Sequence, residues 1–197
     1  MEFQVLSGDI RCRTLQLRSP LYLQTKQYEI MKNTGIFYGS TTGTTLEVAE
    51  MIAKCLGIKE SDIHNVATTA PSEVAAYDLL LLGTSTWGDG EMQDNMDDFS
   101  HGLEVMDLSG KEIALFGCGD ESMSDTFCNA VGELYSRLKD TGAKFIGAGF
   151  GTDGYSFDSS EADKDGHAVG LLIDNVNHPD LTQGRIEDWC RMVAAQE

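Results

Sequence analysis

Ile36-Phe37-Tyr38-Gly39-Ser40-Thr41-Thr42-Gly43-Thr44-Thr45 is an apolar run that breaks into hydroxyls and glycines just ahead of a helical pattern. Ile36, Phe37 and Tyr38 suit a buried strand, and Leu46, Ala49, Ile52, Ala53 and Leu56 then recur at helical spacing. The turn between them leaves the first helical N–H groups without intrahelical partners, at the positive end of the helix dipole. Ser40, Thr41, Thr42, Thr44 and Thr45 add hydroxyl donors, and Gly39 and Gly43 let the backbone approach closely. Such a turn suits an anion. A loop for nucleoside triphosphates would follow its glycine with a Lys-Ser/Thr pair, and no lysine is present here. The expectation is therefore a cradle for a phosphate monoester, not a site of phosphoryl transfer. A plain Ser/Thr-rich helix cap with nothing bound is the alternative.

The chain has 197 residues, the size of one domain with a real core. No apolar run approaches the roughly 20 residues that cross a bilayer, so membrane-spanning and signal-peptide readings drop out. A formal charge of -18 argues against nucleic acid or anionic membrane as partner, since both need clustered Lys and Arg. It favours basic protein surfaces, although acidity also serves solubility alone. Cys12, Cys55, Cys118, Cys128 and Cys190 are odd in number and contain no C-x-x-C pair, which fits a reducing cytoplasm and argues against a cysteine metal site. His64, His101, His167 and His178 show no ligand spacing and read as surface residues.

Residues 1–30 differ from the remainder. They carry Arg11, Arg13, Arg18 and Lys26 against Glu2, Asp9 and Glu29, so residues 31–197 hold a net charge of -19. With no clean periodicity and no signal-peptide core, they read as an upstream or misassigned segment, disordered, with Met31 as the natural start, a targeting peptide being the weaker alternative. The folded domain is expected over residues 31–197.

From there apolar runs at 35–38, 62–66, 79–83, 113–116 and 144–150 alternate with helical patterns at 45–56, 72–76, 95–106, 125–141 and 182–195. This alternation predicts an α/β fold, a doubly wound parallel sheet with helices on both faces. The last run is followed by residues 151–167, rich in Gly, Asp and Ser, before an apolar run resumes at 168–173. That pattern reads as a strand split by an insertion.

Ligands of open parallel sheets sit beyond the carboxyl ends of the strands. The hydroxyl loop is one such end. A second is Gly83-Thr84-Ser85-Thr86-Trp87-Gly88-Asp89-Gly90-Glu91 and a third Phe116-Gly117-Cys118-Gly119-Asp120, both offering N–H groups beside glycines. Trp87, read as a loop tip between small polar residues, suits a planar aromatic ligand unless it folds onto the neighbouring helix. Phosphate loop, aromatic platform and glycine loop together suggest flavin mononucleotide (FMN).

Ser40-x-Thr42-Gly43-x-Thr45, Thr84-Ser85-Thr86-Trp87-Gly88, Gly117-Cys118-Gly119-Asp120, the split strand, Thr152-Asp153-Gly154-Tyr155 and Asp180-Leu181-Thr182 in that order resemble the long-chain flavodoxin family across residues 31–197. The resemblance implies a five-stranded sheet in the order 2-1-3-4-5 and tightly, non-covalently bound FMN. It also implies a low-potential one-electron carrier, not an enzyme, cycling through quinone, semiquinone and hydroquinone. Its partners would be flavodoxin or ferredoxin reductases and acceptor oxidoreductases with basic surfaces, met transiently by a cytoplasmic monomer. By matching motif, Ser40 to Thr45 would hold the phosphate, Trp87 would stack on the isoalloxazine, and Gly119 and Asp120 would offer backbone donors to its pyrimidine end. Asp153 would reach the ribityl chain, and Thr84, Ser85, Thr86, Gly88, Cys118 and Asp125 complete the binding set. Many relatives cover the outer flavin face with a tyrosine, which the run from Asp120 to Phe127 lacks. Met123 is the nearest candidate; it could lie on the ring, pack in the core, or leave that face open.

One carboxylate at about 10 Å, with effective ε near 20, opposes negative charge on the ring by roughly 1.7 kcal/mol, about 70 mV for one electron. Asp89, Glu91, Asp94, Asp120, Glu121, Asp125 and Asp153 near the proposed site point to a strongly reducing hydroquinone. The resemblance further implies that the Gly88-Asp89 carbonyl turns toward the flavin N5–H on the first reduction. An FMN-dependent NAD(P)H quinone reductase is the alternative function, disfavoured by the missing arginine cluster. A phosphoacceptor signalling domain would need clustered acids and a lysine at strand ends, neither of which is evident.

Overall fold

The computed structural model describes residues 28, 30 and 32–197. The chain opens with β1 (Thr34–Tyr38), α1 (Thr44–Leu56), β2 (Ile63–Asn65), β3 (Leu79–Trp87) and the short β4 (Glu91–Met92). It continues with α2 (Asp94–Glu104), β5 (Glu112–Cys118), α3 (Asn129–Leu138) and β6 (Lys144–Phe145). The last third holds β7 (Phe150–Gly151), β8 (Asp163–Lys164), β9 (His167–Ala168), β10 (Leu171–Ile173) and α4 (Pro179–Gln196).

The main sheet runs β10-β5-β3-β1-β2 with parallel pairing throughout this path. β6 pairs with the start of β5, Glu112 opposite Lys144, and β10 pairs with its end, Ile173 opposite Cys118. One strand position is thus filled by two pieces of chain, which is the expected five-position order 2-1-3-4-5 with a split last strand. The apolar run expected over residues 144–150 is not one strand. It leaves the main sheet after Phe145, and Phe150 joins β7, β9 and β8 in a separate antiparallel sheet built by the insertion.

Alternation along β3 explains its run of leucines. Leu79 and Leu81 face α1 and α4 with Ile36, Val48, Ile52 and Trp189, while Leu80 and Leu82 face α2 and α3 with Phe37, Phe99 and Leu134. A strand covered on both faces needs apolar side chains in both directions. β3 also runs longer than expected: residues 84–87 are strand, because β5 pairs alongside as far as Ser85 and β4 pairs antiparallel with Thr86 and Trp87. The second carboxyl-end loop is therefore a hairpin turn, and Trp87 is the last residue of a strand. Similarly α3 begins at Asn129, not at 125, since Cys128 takes a left-handed φ of 54° that no helix continues through.

Residues 1–27, 29 and 31 lie outside the described residues, and with them the expectation for most of the extension. Tyr28 and Ile30, however, pack on the α1/α4 layer. Tyr28 N–H donates to Cys55 O at 2.8 Å, and Arg191 Nε donates to the Tyr28 hydroxyl at 3.0 Å. His64 is not a bare surface residue either; it is half-buried, stacked 4.8 Å from Phe37 and within 2.7 Å of the Tyr77 hydroxyl. No helix among the described residues is long and apolar enough to cross a membrane.

Candidate functional site

Parallel pairing sends β1, β3, β5 and β10 out of the same edge of the sheet, and the predicted residues gather there. Thr42, Thr44, Ser85, Thr86, Trp87, Cys118, Gly119 and Asp120 line a cavity of about 140 Å³. Thr41 and Trp87 line an adjoining hollow of about 250 Å³ with Gln93 and Asp94.

The hydroxyl loop is shaped from within. Gly39 N–H donates to Gly83 O at 2.9 Å, tying the loop to β3, and Gly43 N–H donates to Ser40 Oγ at 3.1 Å. Ser40 Oγ thus shapes the loop as an acceptor and keeps its O–H as a donor. Gly43 caps α1 with a left-handed φ of 99° and no side-chain bond, leaving the first amides of the helix uncapped. Thr45 is buried there at 1% exposure, and its Oγ1 has no hydrogen-bond partner among the described residues. A buried hydroxyl left unpaired in this way costs about 1–3 kcal/mol, which a bound acceptor would offset. Uncapped amides, threonine hydroxyls and an orphan donor without a neighbouring cation fit a phosphate ester.

Trp87 is 41% exposed, and its indole Nε1–H donates to Ser85 Oγ at 2.9 Å, two residues back on the same face of β3. It is not folded onto a helix. Beyond it the chain reverses through Gly88 and Gly90, closed by Gly90 N–H to Trp87 O at 2.9 Å. Gly88 has φ 48°, and Glu91 Oε2 lies 2.5 Å from where its Cβ would stand, so only glycine fits without strain. Thr84 is fully buried in β3 beneath the cavity.

The third loop departs from expectation. Gly119 N–H is engaged with Ile173 O at 3.0 Å, so it is not a donor to a ligand. Asp120 N–H has no partner among the described residues. The Asp120 carboxylate accepts from Ser122 Oγ at 2.6 Å, Ser122 N–H and Asn177 Nδ2, which holds its pKa below the ordinary carboxylate range. Burial pushes the Cys118 thiol up to about 12, making it a neutral wall. Met123 is 45% exposed, which excludes a place in the core, yet it does not line the cavity. Asp125 and Asp153 stand apart from both hollows: Asp125 O accepts from Ser159 Oγ, and Asp153 O from Arg185 Nη1 at 3.0 Å.

Several residues at this edge escaped the sequence reading. Gln93, 4% exposed, caps α2 by accepting from Met96 N–H at 3.0 Å and reaches Thr41 Oγ1 at 3.4 Å. Asp174, fully buried at the end of β10, accepts from Val176 N–H, Asn177 N–H, Glu121 N–H and Asn177 Nδ2, all within 2.7–2.9 Å. Asn175 and Val176 line the cavity beside it. His178, read from sequence as a surface residue, bonds Glu121 Oε1 at 2.7 Å, which raises its pKa. A lone Gln or Asp in a loop carries no periodicity or motif; only the strand order brings these together. No lysine or arginine lines either hollow.

The Flavodoxin family matches residues 36–189. Flavodoxin 1 of Salmonella typhimurium is 44% identical over 169 residues, covering 84% of this chain and 95% of its own, and flavodoxin 1 of Escherichia coli K12 is similar to the same extent. Among solved structures, Fusobacterium nucleatum flavodoxin bound to flavin mononucleotide aligns with TM-score 0.76 at 31% identity, covering 84% of this chain and 99% of that one. Bacillus cereus flavodoxin 2 aligns with TM-score 0.63 at 27% identity, covering 84% and 99%. With the sheet order, the split strand and the residues at its edge, these likenesses show that the chain belongs to the flavodoxin family.

Proposed function

We propose that this flavodoxin holds FMN non-covalently across the ends of β1, β3, β5 and β10 and carries single electrons between redox proteins, without itself being an enzyme. The observation that carries the reading is the buried, unpartnered Thr45 Oγ1 at the uncapped start of α1, one strand away from the half-exposed Trp87. The FMN bound in the Fusobacterium relative supports it.

When bound, FMN supplies the electron-storing ring; the chain's residues bind, orient and shield it. Thr42, Thr44 and Thr45 with the first amides of α1 hold the phosphate, Ser40 and Gly43 fixing the loop beneath. Trp87 covers one ring face, and Ser85, Thr86 and the Cys118 thiol floor the cavity. Asp120 N–H donates to the polar edge of the ring; Gly119 shapes the turn. Gly88 gives the backbone after Trp87 room to turn. Asp125, Asp153 and Met123 belong to the loops around the site and not to its lining. Partners are redox proteins with basic surfaces, met transiently by a cytoplasmic monomer, which the charge of -18 favours. Tyr28 and Ile30 pack on the folded domain, upstream of its expected start at residue 31.

The test is an absorption spectrum of the purified protein followed by stepwise anaerobic reduction. Flavin bands and two resolved one-electron midpoint potentials, with no NADPH oxidation unless a reductase is added, are expected. A colourless protein that fails to bind added FMN overturns the proposal.

A further inference from the structure

We propose that Val176 is the second apolar wall of the FMN cavity, held across from Trp87 by the buried carboxylate of Asp174. The inference rests on the FMN reading above. β5 lies between β3 and β10, with Ser85 opposite Cys118 and Cys118 opposite Ile173. Trp87 follows Ser85 by two residues and Val176 follows Ile173 by three, so the two side chains flank the Cys118-Gly119-Asp120 segment from either side. Both line the same cavity.

Val176 is 69% exposed, yet its place is fixed. Asp174 Oδ1 accepts from Val176 N–H and Asn177 N–H, and Asp174 Oδ2 accepts from Glu121 N–H and Asn177 Nδ2. The same Asn177 amide donates to Asp120 Oδ1 at 2.8 Å. The corner between β10 and α4 and the loop after β5 therefore form one bonded unit, presenting an aliphatic side chain to the cavity. Met123, the candidate from sequence for this role, is exposed without lining it. A flat ring between Trp87 and Val176 removes apolar surface of both from water. An aliphatic wall covers less of the ring than an aromatic one and offers no stacking, so this face binds more weakly.

The test compares FMN dissociation constants, read from quenching of flavin fluorescence, and visible absorption bands. Val176→Ser is expected to weaken FMN binding about three- to tenfold, from partial loss of one buried side chain. Val176→Tyr is expected to tighten it and to shift the flavin bands by stacking. Val105→Ser, at a residue 82% exposed after α2 and remote from the cavity, is the control and leaves both unchanged. A wild-type protein that binds no FMN overturns the carrier reading and this inference with it. Wild-type binding with Val176→Ser indistinguishable from Val105→Ser, and Val176→Tyr spectrally identical to wild type, overturns the Val176 wall alone.

Discussion

Thr45 Oγ1 is buried with no hydrogen-bond partner among the described residues, the Cys118 thiol being a weak polar neighbour. Replacing an unpartnered buried hydroxyl by an apolar group of the same shape is neutral or stabilising, whereas removing it from a bound phosphate loses a hydrogen bond to a charged group. Thr45→Val is therefore expected to leave the thermal midpoint of the FMN-free protein unchanged or slightly higher. It should weaken FMN binding by about 1.5 kcal/mol, roughly tenfold, without weakening riboflavin binding. Equal losses for both flavins would show that the hydroxyl does not face the phosphate. His178 makes a second residue-scale case. Its bond to Glu121, aided by the Asp174 and Asp180 charges and opposed by partial desolvation, raises its pKa above 6.5 in the folded state. The folded protein then holds a proton that the unfolded chain releases, so stability from this pair is complete below 6.5 and is lost as pH rises through the folded value. Denaturant titrations of wild type and His178→Gln should differ most near about pH 5.5 and converge near about pH 9; a constant gap would mean that the pair is not charge-linked.

At the scale of elements, the two edges of the sheet do different work. Glu112 opens β5 at the edge opposite the cavity, only 8% exposed, with Lys32 Nζ at 2.6 Å and Lys144 Nζ at 2.8 Å. Burial pushes its pKa up, but the lysine hydrogen bonds outweigh burial and hold it below 4.5. A depressed carboxyl contributes stability above its unfolded pKa, which is lost as pH falls through the folded one. Glu112→Gln should cost about 1–2 kcal/mol near pH 7, discounted for the exposed lysines, with a gap to wild type that closes under acid. Flavin absorption should not change, because the triad is far along the strands from the site. Which elements could be read in advance follows from the same physics. β1, β3 and β5 are covered on both faces and must be apolar in both directions, so they stand out in the sequence. β4 and the insertion strands are two residues long and carry no period; they exist because neighbouring strands offer them backbone partners. The hydroxyl loop was legible because its donors are contiguous. Asp174 and Val176 were not, since their meaning arises only when β10 lies beside β5.

For the whole molecule, the two edges of the sheet differ in whether lysines stand among their acids. Strand starts lie on one edge, and there Lys32 before β1, Lys59 before β2, Lys111 before β5 and Lys144 opening β6 stand among the acids Asp62, Asp78 and Glu112. Strand ends lie on the other, and there stand Asp89, Glu91, Asp94, Asp120 and Glu121, with no lysine or arginine lining the cavity. Lys32 and Lys144 pair with Glu112 and Lys111 bonds carbonyls at the first edge, whereas the acids at the cofactor edge have no lysine or arginine in the cavity lining to offset them. Such a field orients a basic partner with its docking face toward Trp87 before contact, which raises the encounter rate without a matching gain in affinity. Electron transfer to a basic acceptor should therefore slow on the order of tenfold between low salt and about 0.3 M, as the screening length falls below 10 Å. Neutralising Asp89, Glu91 and Asp94 together should flatten that salt dependence, while Lys59→Gln, at the opposite edge, should leave it unaltered. Stopped-flow rates at several ionic strengths separate these outcomes, and a slope equally sensitive to both edges would mean that total charge, not its direction along the strands, governs the approach.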